Sequence, residues 1–143
     1  MQRTATAVWT GSLKEGNGAI STQSGVLNET PYSFVTRFEN GKGTNPEEMI
    51  AAAHAGCFTM ALSAQLGTMN FTPQSLRTTA TLSLEKLEAG WTISKIHLDL
   101  AARIPGISRG AFDSAAASAK SNCPVSRLLK AEITLTASLE QAA

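Results

Sequence analysis

Two cysteines, Cys57 and Cys123, are the residues of this chain best suited to chemistry of their own. Cys57 lies between Ile50 and Ala61 in an apolar stretch, where burial without a nearby cation would raise its pKa and leave the thiol unreactive. Cys123 comes directly before Pro124 at the expected start of a short helix, where the helix dipole favours a thiolate. Physical reasoning alone makes Cys123 the better nucleophile, and a plain packing role stays open for either thiol.

The composition of the chain excludes several classes of protein. With 143 residues and a formal net charge of +1, it suits a single domain, residues 1–143, with a sizeable core. The charged fraction of 16% leaves no basic surface for nucleic acid and no polybasic patch for a membrane. The N-terminal segment lacks the apolar run of a secretory signal, so we expect a cytoplasmic protein.

The cysteines and histidines also limit the sites that the chain can build. Two cysteines in a cytoplasmic chain of this size are more often reduced thiols than a structural disulfide. Together with two histidines at unsuitable spacing, they predict no zinc site within one chain. We expect neither a metal nor a bound cofactor.

The longest element that the sequence predicts is a helix around Cys57. Asn45 can cap its free N–H groups, Pro46 suits its first position, and Glu48 completes a capping-box pattern. The helix should end near Gly67. Its residues are small or apolar on almost every side, which predicts burial all round. The alanine-rich run falls short of the ~20 strongly apolar residues of a membrane span, so we expect a core helix.

The segment before this helix is predicted as short strands separated by glycine turns. Its last strand, residues 32–38, alternates aromatic with other side chains. Arg37 would then face away from the aromatic side of that strand.

After the helix, the pattern predicts a hairpin, a pair of helices and a final strand. The hairpin joins residues 76–85 to residues 91–104, and a slip in the alternation near Ile93 suggests a bulge. Ser108 can cap the first helix of the pair, and residues 133–139 alternate as the last strand. The predicted fold class is α+β, with antiparallel strands, one long buried helix and a shorter helix pair.

Three segments of the chain carry a family resemblance. They are residues 31–39 (PYSFVTRFE), 43–62 (GTNPEEMIAAAHAGCFTMAL) and 123–133 (CPVSRLLKAEI). Together they resemble the osmotically inducible protein C (OsmC) family of bacterial peroxide-reducing proteins, along almost the full chain. The sister group, the organic hydroperoxide resistance proteins, carries its arginine nearer the N-terminus. Arg37 in the first segment therefore indicates the OsmC group proper.

The resemblance implies a thiol peroxidase that reduces organic hydroperoxides, and hydrogen peroxide less well, through two cysteines. Carried onto this chain, it makes Cys57 the peroxidatic thiolate and Cys123 the resolving thiol. Arg37 and Glu47 would complete the site. This order of the thiols reverses the one that the helix dipole favours, and we adopt the order of the family.

The implied chemistry explains these residue types. A Cys57 thiolate attacks a peroxide oxygen and becomes a sulfenic acid, while the guanidinium of Arg37 stabilises the thiolate and the leaving oxygen. Glu47 holds that guanidinium through two hydrogen bonds. Cys123 then forms a disulfide with Cys57. An external dithiol, such as a lipoylated or thioredoxin-like protein, must reopen it.

The spacing of the site residues favours a dimer. Glu47 and Cys57 are ten residues apart, or ~15 Å along a helix axis, which a carboxylate does not span. Two copies of the helix must pack together, or Arg37 must cover much of the gap. We therefore expect an intertwined homodimer with two sites at its interface. The resemblance implies the same fold, with antiparallel sheets wrapped around long central helices.

Two alternatives remain at this stage. His54 lies within a turn of Cys57 and could tune it, although a hydrogen-bonded core histidine is the preferred interpretation. The whole protein could instead bind a small apolar ligand in the same dimer-interface pocket, with structural cysteines. A redox sensor would need an output partner that nothing in the sequence suggests.

Overall fold

The computed structural model describes residues 1–141. It confirms the α+β fold class. The elements are β1 (Ala5–Thr10), β2 (Asn17–Thr22), β3 (Thr30–Tyr32), α1 (Phe34–Phe38), α2 (Pro46–Thr68), β4 (Ser75–Leu87), β5 (Gly90–Arg103), α3 (Arg109–Asn122), α4 (Pro124–Leu128) and β6 (Glu132–Glu140). These elements group into two compact units, Met1–Met49 and a second unit that begins at Ile50. The single domain over residues 1–143 stays a prediction.

The first unit contains an antiparallel sheet with the strand order β1-β2-β3. Gly18 on β2 pairs with Trp9 on one side and with Tyr32 on the other. A β-carbon at Gly18 would lie 2.5 Å from the Tyr32 ring and 2.8 Å from the Trp9 ring. Only glycine fits there, and its absent side chain lets the two ring centroids approach to 5.3 Å.

The segment predicted as the last strand of this unit turns into the short helix α1. Ser33 Oγ accepts a hydrogen bond from the backbone N–H of Thr36 at 3.3 Å, and Thr36 Oγ1 accepts one from the N–H of Ser33 at 2.8 Å. The Phe34 and Phe38 rings, four residues apart, fit one helix face as well as one strand face. The reciprocal cap decides for the helix. The strand predicted over residues 32–38 is therefore wrong for most of its length.

The long helix α2 begins and ends where the sequence predicted. Asn45 Oδ1 accepts a hydrogen bond from the backbone N–H of Glu48 at 2.7 Å, and Pro46 is the first helical residue. The helix runs one residue beyond Gly67. By length and composition it also suits a membrane span, a test that core helices pass as well.

The burial of α2 differs from the prediction. The buried residues lie four apart on one stripe: His54, Phe58, Leu62 and Leu66. The opposite face is exposed although its residues are small or apolar: Ala52, Ala53, Gly56, Met60 and Ala64. In the single chain the helix is therefore covered on one side, and burial all round is not met.

The second unit contains the predicted hairpin of β4 and β5. The register of the two strands shifts between Ser83 and Leu84, which pair with Lys95 and Ile93. Ser94 is thus the extra residue of a bulge. The slip near Ile93 is confirmed.

The strand β6 runs parallel to β5, from Lys95 opposite Glu132 to Arg103 opposite Glu140. The prediction of purely antiparallel sheets is therefore wrong for this pair. Parallel neighbours need a crossover connection, and α3 and α4 provide it here.

The core of the second unit is formed by one stripe of α2, the inward face of β5 and one face of α3. Ser108 caps α3 as predicted, since its Oγ accepts a hydrogen bond from the N–H of Ala111 at 3.2 Å. The largest buried side chains of this core are Phe58, Leu62, Leu66, Ile96, Leu98, Leu100, Phe112 and Cys123. A cysteine from the predicted site is thus part of the core.

Candidate active site

Arg37 and Glu47 form a close ion pair in the first unit. Arg37, on α1, donates from Nε to both carboxylate oxygens of Glu47, at 3.1 and 3.2 Å, and from Nη2 to Oε1 at 2.7 Å. Glu47, in the first turn of α2, therefore fixes the plane of the guanidinium. The Arg37 Cζ also lies 5.2 Å from the centre of the Phe38 ring. The prediction that Arg37 faces away from the aromatic side is therefore wrong, because α1 is a helix.

An apolar pocket of about 320 Å³ lies beside this ion pair. Its main lining residues are Trp9, Leu13, Tyr32, Phe34, Arg37 and Phe38. Aromatic walls with one charged group suit a small ligand that has an apolar body and a polar end. The pocket is thus a candidate site for the apolar part of a substrate.

The two thiols are neighbours in the second unit, and both are free. Cys57 is half-buried on α2, whereas Cys123 is fully buried directly before α4. Burial raises the pKa of Cys57, the backbone hydrogen bond of Val125 lowers it, and the hydrogen bond and charge of Cys123 raise it again. No cation is among these causes, so the structure confirms the expected effect of burial on this thiol.

Cys123 caps α4 with its sulfur. The backbone N–H of Ser126 donates to Cys123 Sγ at 3.3 Å, and Ser126 Oγ lies 3.1 Å from the same sulfur. Cysteine thus takes the place that serine or aspartate has in many helix caps. The predicted start of a helix at Cys123 and Pro124 is confirmed.

His54 is fully buried one turn before Cys57, and its Nε2 lies 2.7 Å from Ser126 Oγ. Burial lowers the pKa of His54. The preference for a hydrogen-bonded core histidine is confirmed. Its partner Ser126 was missed, because the two residues are 72 positions apart and neither belongs to a motif that links them.

The four predicted site residues thus form two pairs, Arg37 with Glu47 and Cys57 with Cys123. That all four act in one site stays a prediction. Within residues 1–141, no group of three or more histidine, cysteine or acidic residues is arranged to hold a metal ion.

The chain is similar in sequence to known proteins. A sequence model of the family described as OsmC-like protein matches residues 39–138. The chain is 57% identical over 129 residues to the proteins named peroxiredoxin OsmC of Escherichia coli K12 and of Shigella flexneri, covering 90% of each chain.

Solved structures have the same fold. The organic hydroperoxide resistance protein OhrB of Bacillus subtilis is 25% identical, with a TM-score of 0.67, over 96% of this chain and 98% of that one. An OsmC-like protein of unknown function from Vibrio cholerae is 16% identical, with a TM-score of 0.77, over 96% and 99%. As the three sequence segments predicted, this chain belongs to the family of OsmC-like proteins.

Proposed function

We propose that this chain is a two-cysteine peroxidase that reduces organic hydroperoxides to alcohols, and hydrogen peroxide less well. The observation that carries the proposal is the contact of two free thiols, Cys57 and Cys123, in a chain 57% identical to proteins named peroxiredoxin. Cys57 is the more exposed thiol and can meet a substrate. Cys123 is enclosed in the core and can meet only its neighbour.

In the first step, the Cys57 thiolate attacks one oxygen of the hydroperoxide. The O–O bond breaks, an alcohol leaves, and Cys57 becomes a sulfenic acid. Since burial raises the pKa of Cys57, this step needs a positive charge at the sulfur. We propose Arg37 for this charge, held by Glu47. Its two-pronged ion pair and the apolar pocket beside it support the assignment.

In the second step, Cys123 attacks the sulfur of the sulfenic acid. A disulfide forms and water leaves, which protects Cys57 from irreversible oxidation. An external dithiol, such as a lipoylated or thioredoxin-like protein, then reduces the disulfide by exchange. We propose no cofactor and no metal for either step. The cytoplasmic location stays a prediction.

We also propose that two chains form an intertwined homodimer through α2. The uncovered face of this helix is formed by Ala52, Ala53, Gly56, Met60 and Ala64. Small and apolar side chains left in water favour contact with a second copy. In this dimer, Arg37 and Glu47 of one chain would serve Cys57 of the other. Sedimentation combined with an activity assay tests this point, and an active monomer would exclude it.

Single-cysteine variants test the peroxidase itself. With dithiothreitol as reductant, Cys57→Ser should not turn over cumene hydroperoxide. Without reductant, Cys123→Ser should consume about one equivalent and stop at the sulfenic acid. Mass spectrometry of the parent after one equivalent should show a disulfide between Cys57 and Cys123. Turnover retained in Cys57→Ser would refute the assignment, and unreacted thiols in the parent would support the ligand-binding alternative.

A further inference from the structure

A buried series of hydrogen bonds leads away from Cys123, and the two steps above assign no role to it. Cys123 Sγ lies 3.1 Å from Ser126 Oγ, which lies 2.7 Å from His54 Nε2. His54 and Cys123 have no exposed surface, and Ser126 is 8% exposed. A buried polar group is costly unless a hydrogen bond or a function compensates for it. This series of hydrogen bonds joins a titratable side chain to a reacting sulfur.

His54 has the neutral ring that a proton acceptor must have. Burial lowers its pKa, so the imidazole is neutral at physiological pH. Its Nδ1 has no hydrogen-bond partner among the described residues, which leaves Nε2 as the atom through which the ring acts. The hydroxyl of Ser126 both donates and accepts, so it can pass a proton between the sulfur and the ring.

We propose that Ser126 and His54 carry the proton of the Cys123 thiol while the disulfide forms. The inference rests on the proposed function, in which Cys123 attacks the sulfenic acid of Cys57. Ser126 touches the reacting sulfur and is therefore a further catalytic residue. His54 acts through Ser126 and is a positioning residue. The backbone N–H of Ser126, 3.3 Å from the sulfur, stabilises the charge that develops there.

The step balances as follows. The proton of the Cys123 thiol passes to Ser126 Oγ as the Ser126 hydroxyl proton passes to His54 Nε2. The Cys123 sulfur attacks the Cys57 sulfur, the S–S bond forms, and the S–O bond of the sulfenic acid breaks. The proton on His54 Nε2 returns through Ser126 Oγ to the hydroxide that leaves, which becomes water. The oxidant is the sulfenic acid that the hydroperoxide produced.

A purely structural bridge between α2 and α4 is the competing explanation. In that case Ser126 and His54 would add stability and would leave the rate of disulfide formation unchanged in every folded variant. Glutamine at position 54 separates the two cases, since its amide can still bond to Ser126 but does not take up a proton.

The experiment follows the two steps separately. Reduced protein without reductant is mixed with one equivalent of cumene hydroperoxide, and samples quenched over time are analysed by mass spectrometry for sulfenic acid and disulfide. In Ser126→Ala, sulfenic acid should form at the parental rate, while disulfide should form about 100-fold more slowly. His54→Gln should slow disulfide formation about 10-fold or more. Ser126→Thr, which keeps the hydroxyl, should restore much of the rate.

Two matched controls should behave like the parent. Ser121→Ala removes an exposed hydroxyl from α3. His97→Gln replaces the other histidine, whose ring bonds to Thr134 and Thr136 on β6. Thermal unfolding of each variant shows which of them are folded.

The pH profile of the parent adds a measurement that needs no folded variant. In the proposed proton relay from Cys123 through Ser126 to His54, Cys123 contacts Ser126, and Cys57 contacts Cys123. Lys120 on α3 is half-buried, and Arg127 on α4 is exposed. Disulfide formation should slow as the pH falls through the lowered pKa of His54, because a protonated ring accepts nothing. His54→Gln should lack this decrease.

The outcomes distinguish failure of the proton relay from failure of the proposed peroxidase function. Parental disulfide formation in folded Ser126→Ala or His54→Gln would overturn the relay while the peroxidase stands. If neither variant folds, the pH profile of the parent decides: disulfide formation that does not slow as the pH falls would overturn the relay. If Cys123→Ser forms no sulfenic acid, the proposed function itself fails.

Discussion

The two pairs of predicted site residues lie in contrasting surroundings. Arg37 and Glu47 meet near the surface of the first unit, with side chains that are 38% and 13% exposed. Cys57 and Cys123 meet at the core of the second unit, and Cys123 is fully buried. An ion pair that water reaches costs little desolvation free energy, so both of its groups stay charged. A thiol held away from water is shielded from solvent, but its pKa is raised and little of it is ionised. The peroxidase proposed above would use the properties of both pairs.

Removing the charge should have the largest effect on this combination. Arg37→Met should lower kcat/KM for cumene hydroperoxide by ~10²–10³-fold, since a fixed cation no longer stabilises the thiolate and the leaving oxygen. Arg37→Lys should recover only part of the loss, because an ammonium does not reproduce the fork that meets both oxygens of Glu47. Steady-state peroxide consumption with dithiothreitol measures both variants.

A matched control exists for Arg37. Arg103 also forms an ion pair, with Glu140 at 3.1 Å. The side chains of both residues are about half exposed. Arg103→Met should keep the parental kcat/KM. Equal activity of Arg37→Met and the parent would show that the Cys57 thiolate does not depend on Arg37, and the comparison of the two pairs would lose its functional meaning.

Loosening the charge should cost less than removing it. Glu47→Gln leaves the guanidinium in place but removes the negative charge and one of the two oxygens that accept its hydrogen bonds, so kcat/KM should fall about 10-fold to 100-fold. The free energy of unfolding should change by less than ~1 kcal/mol, because the pair is partly exposed. Chemical denaturation and the peroxide assay separate the two effects.

Glu48→Gln is the control in the same helical turn. Glu48 belongs to the cap of α2 through Asn45, and glutamine can still accept the hydrogen bond of the Asn45 amide. This variant should keep parental activity. If both glutamine variants lose activity equally, the start of α2 matters for folding and the pairing of Glu47 with Arg37 does not.

The elements that the sequence predicted correctly are those fixed by local rules. Asn45 and Pro46 mark the start of α2 because capping involves neighbouring residues, and the bulge near Ile93 follows from a change of phase in one strand. The helix α1 was missed because Phe34 and Phe38 fit two periods equally well. The resemblance supplied the four predicted site residues, and the structure shows the contacts of Arg37 with Glu47 and of Cys57 with Cys123.

Two other features that the sequence did not predict depend on distant contacts. The parallel direction of β6 depends on where the α3–α4 connection returns the chain, which no strand pattern encodes. The contact of His54 with Ser126 likewise joins residues 72 positions apart. Both are properties of the packed second unit.

The smallest expected effect is on the free energy of unfolding, and it concerns His54, which lies near the two thiols in the second unit. Burial lowers the pKa of His54 in the folded chain, so between the folded and the unfolded pKa the unfolded chain binds more protons. The contribution of His54 to stability is therefore present above about pH 6.5 and is lost as the pH falls through the folded pKa. Denaturation of the parent and of His54→Gln should be compared between about pH 7 and about pH 5, and the free energy of unfolding should decrease less in the variant. An equal decrease in both proteins would mean that folding does not lower the pKa of His54, and a slowing of disulfide formation in acid could then not be assigned to a lowered pKa of this ring.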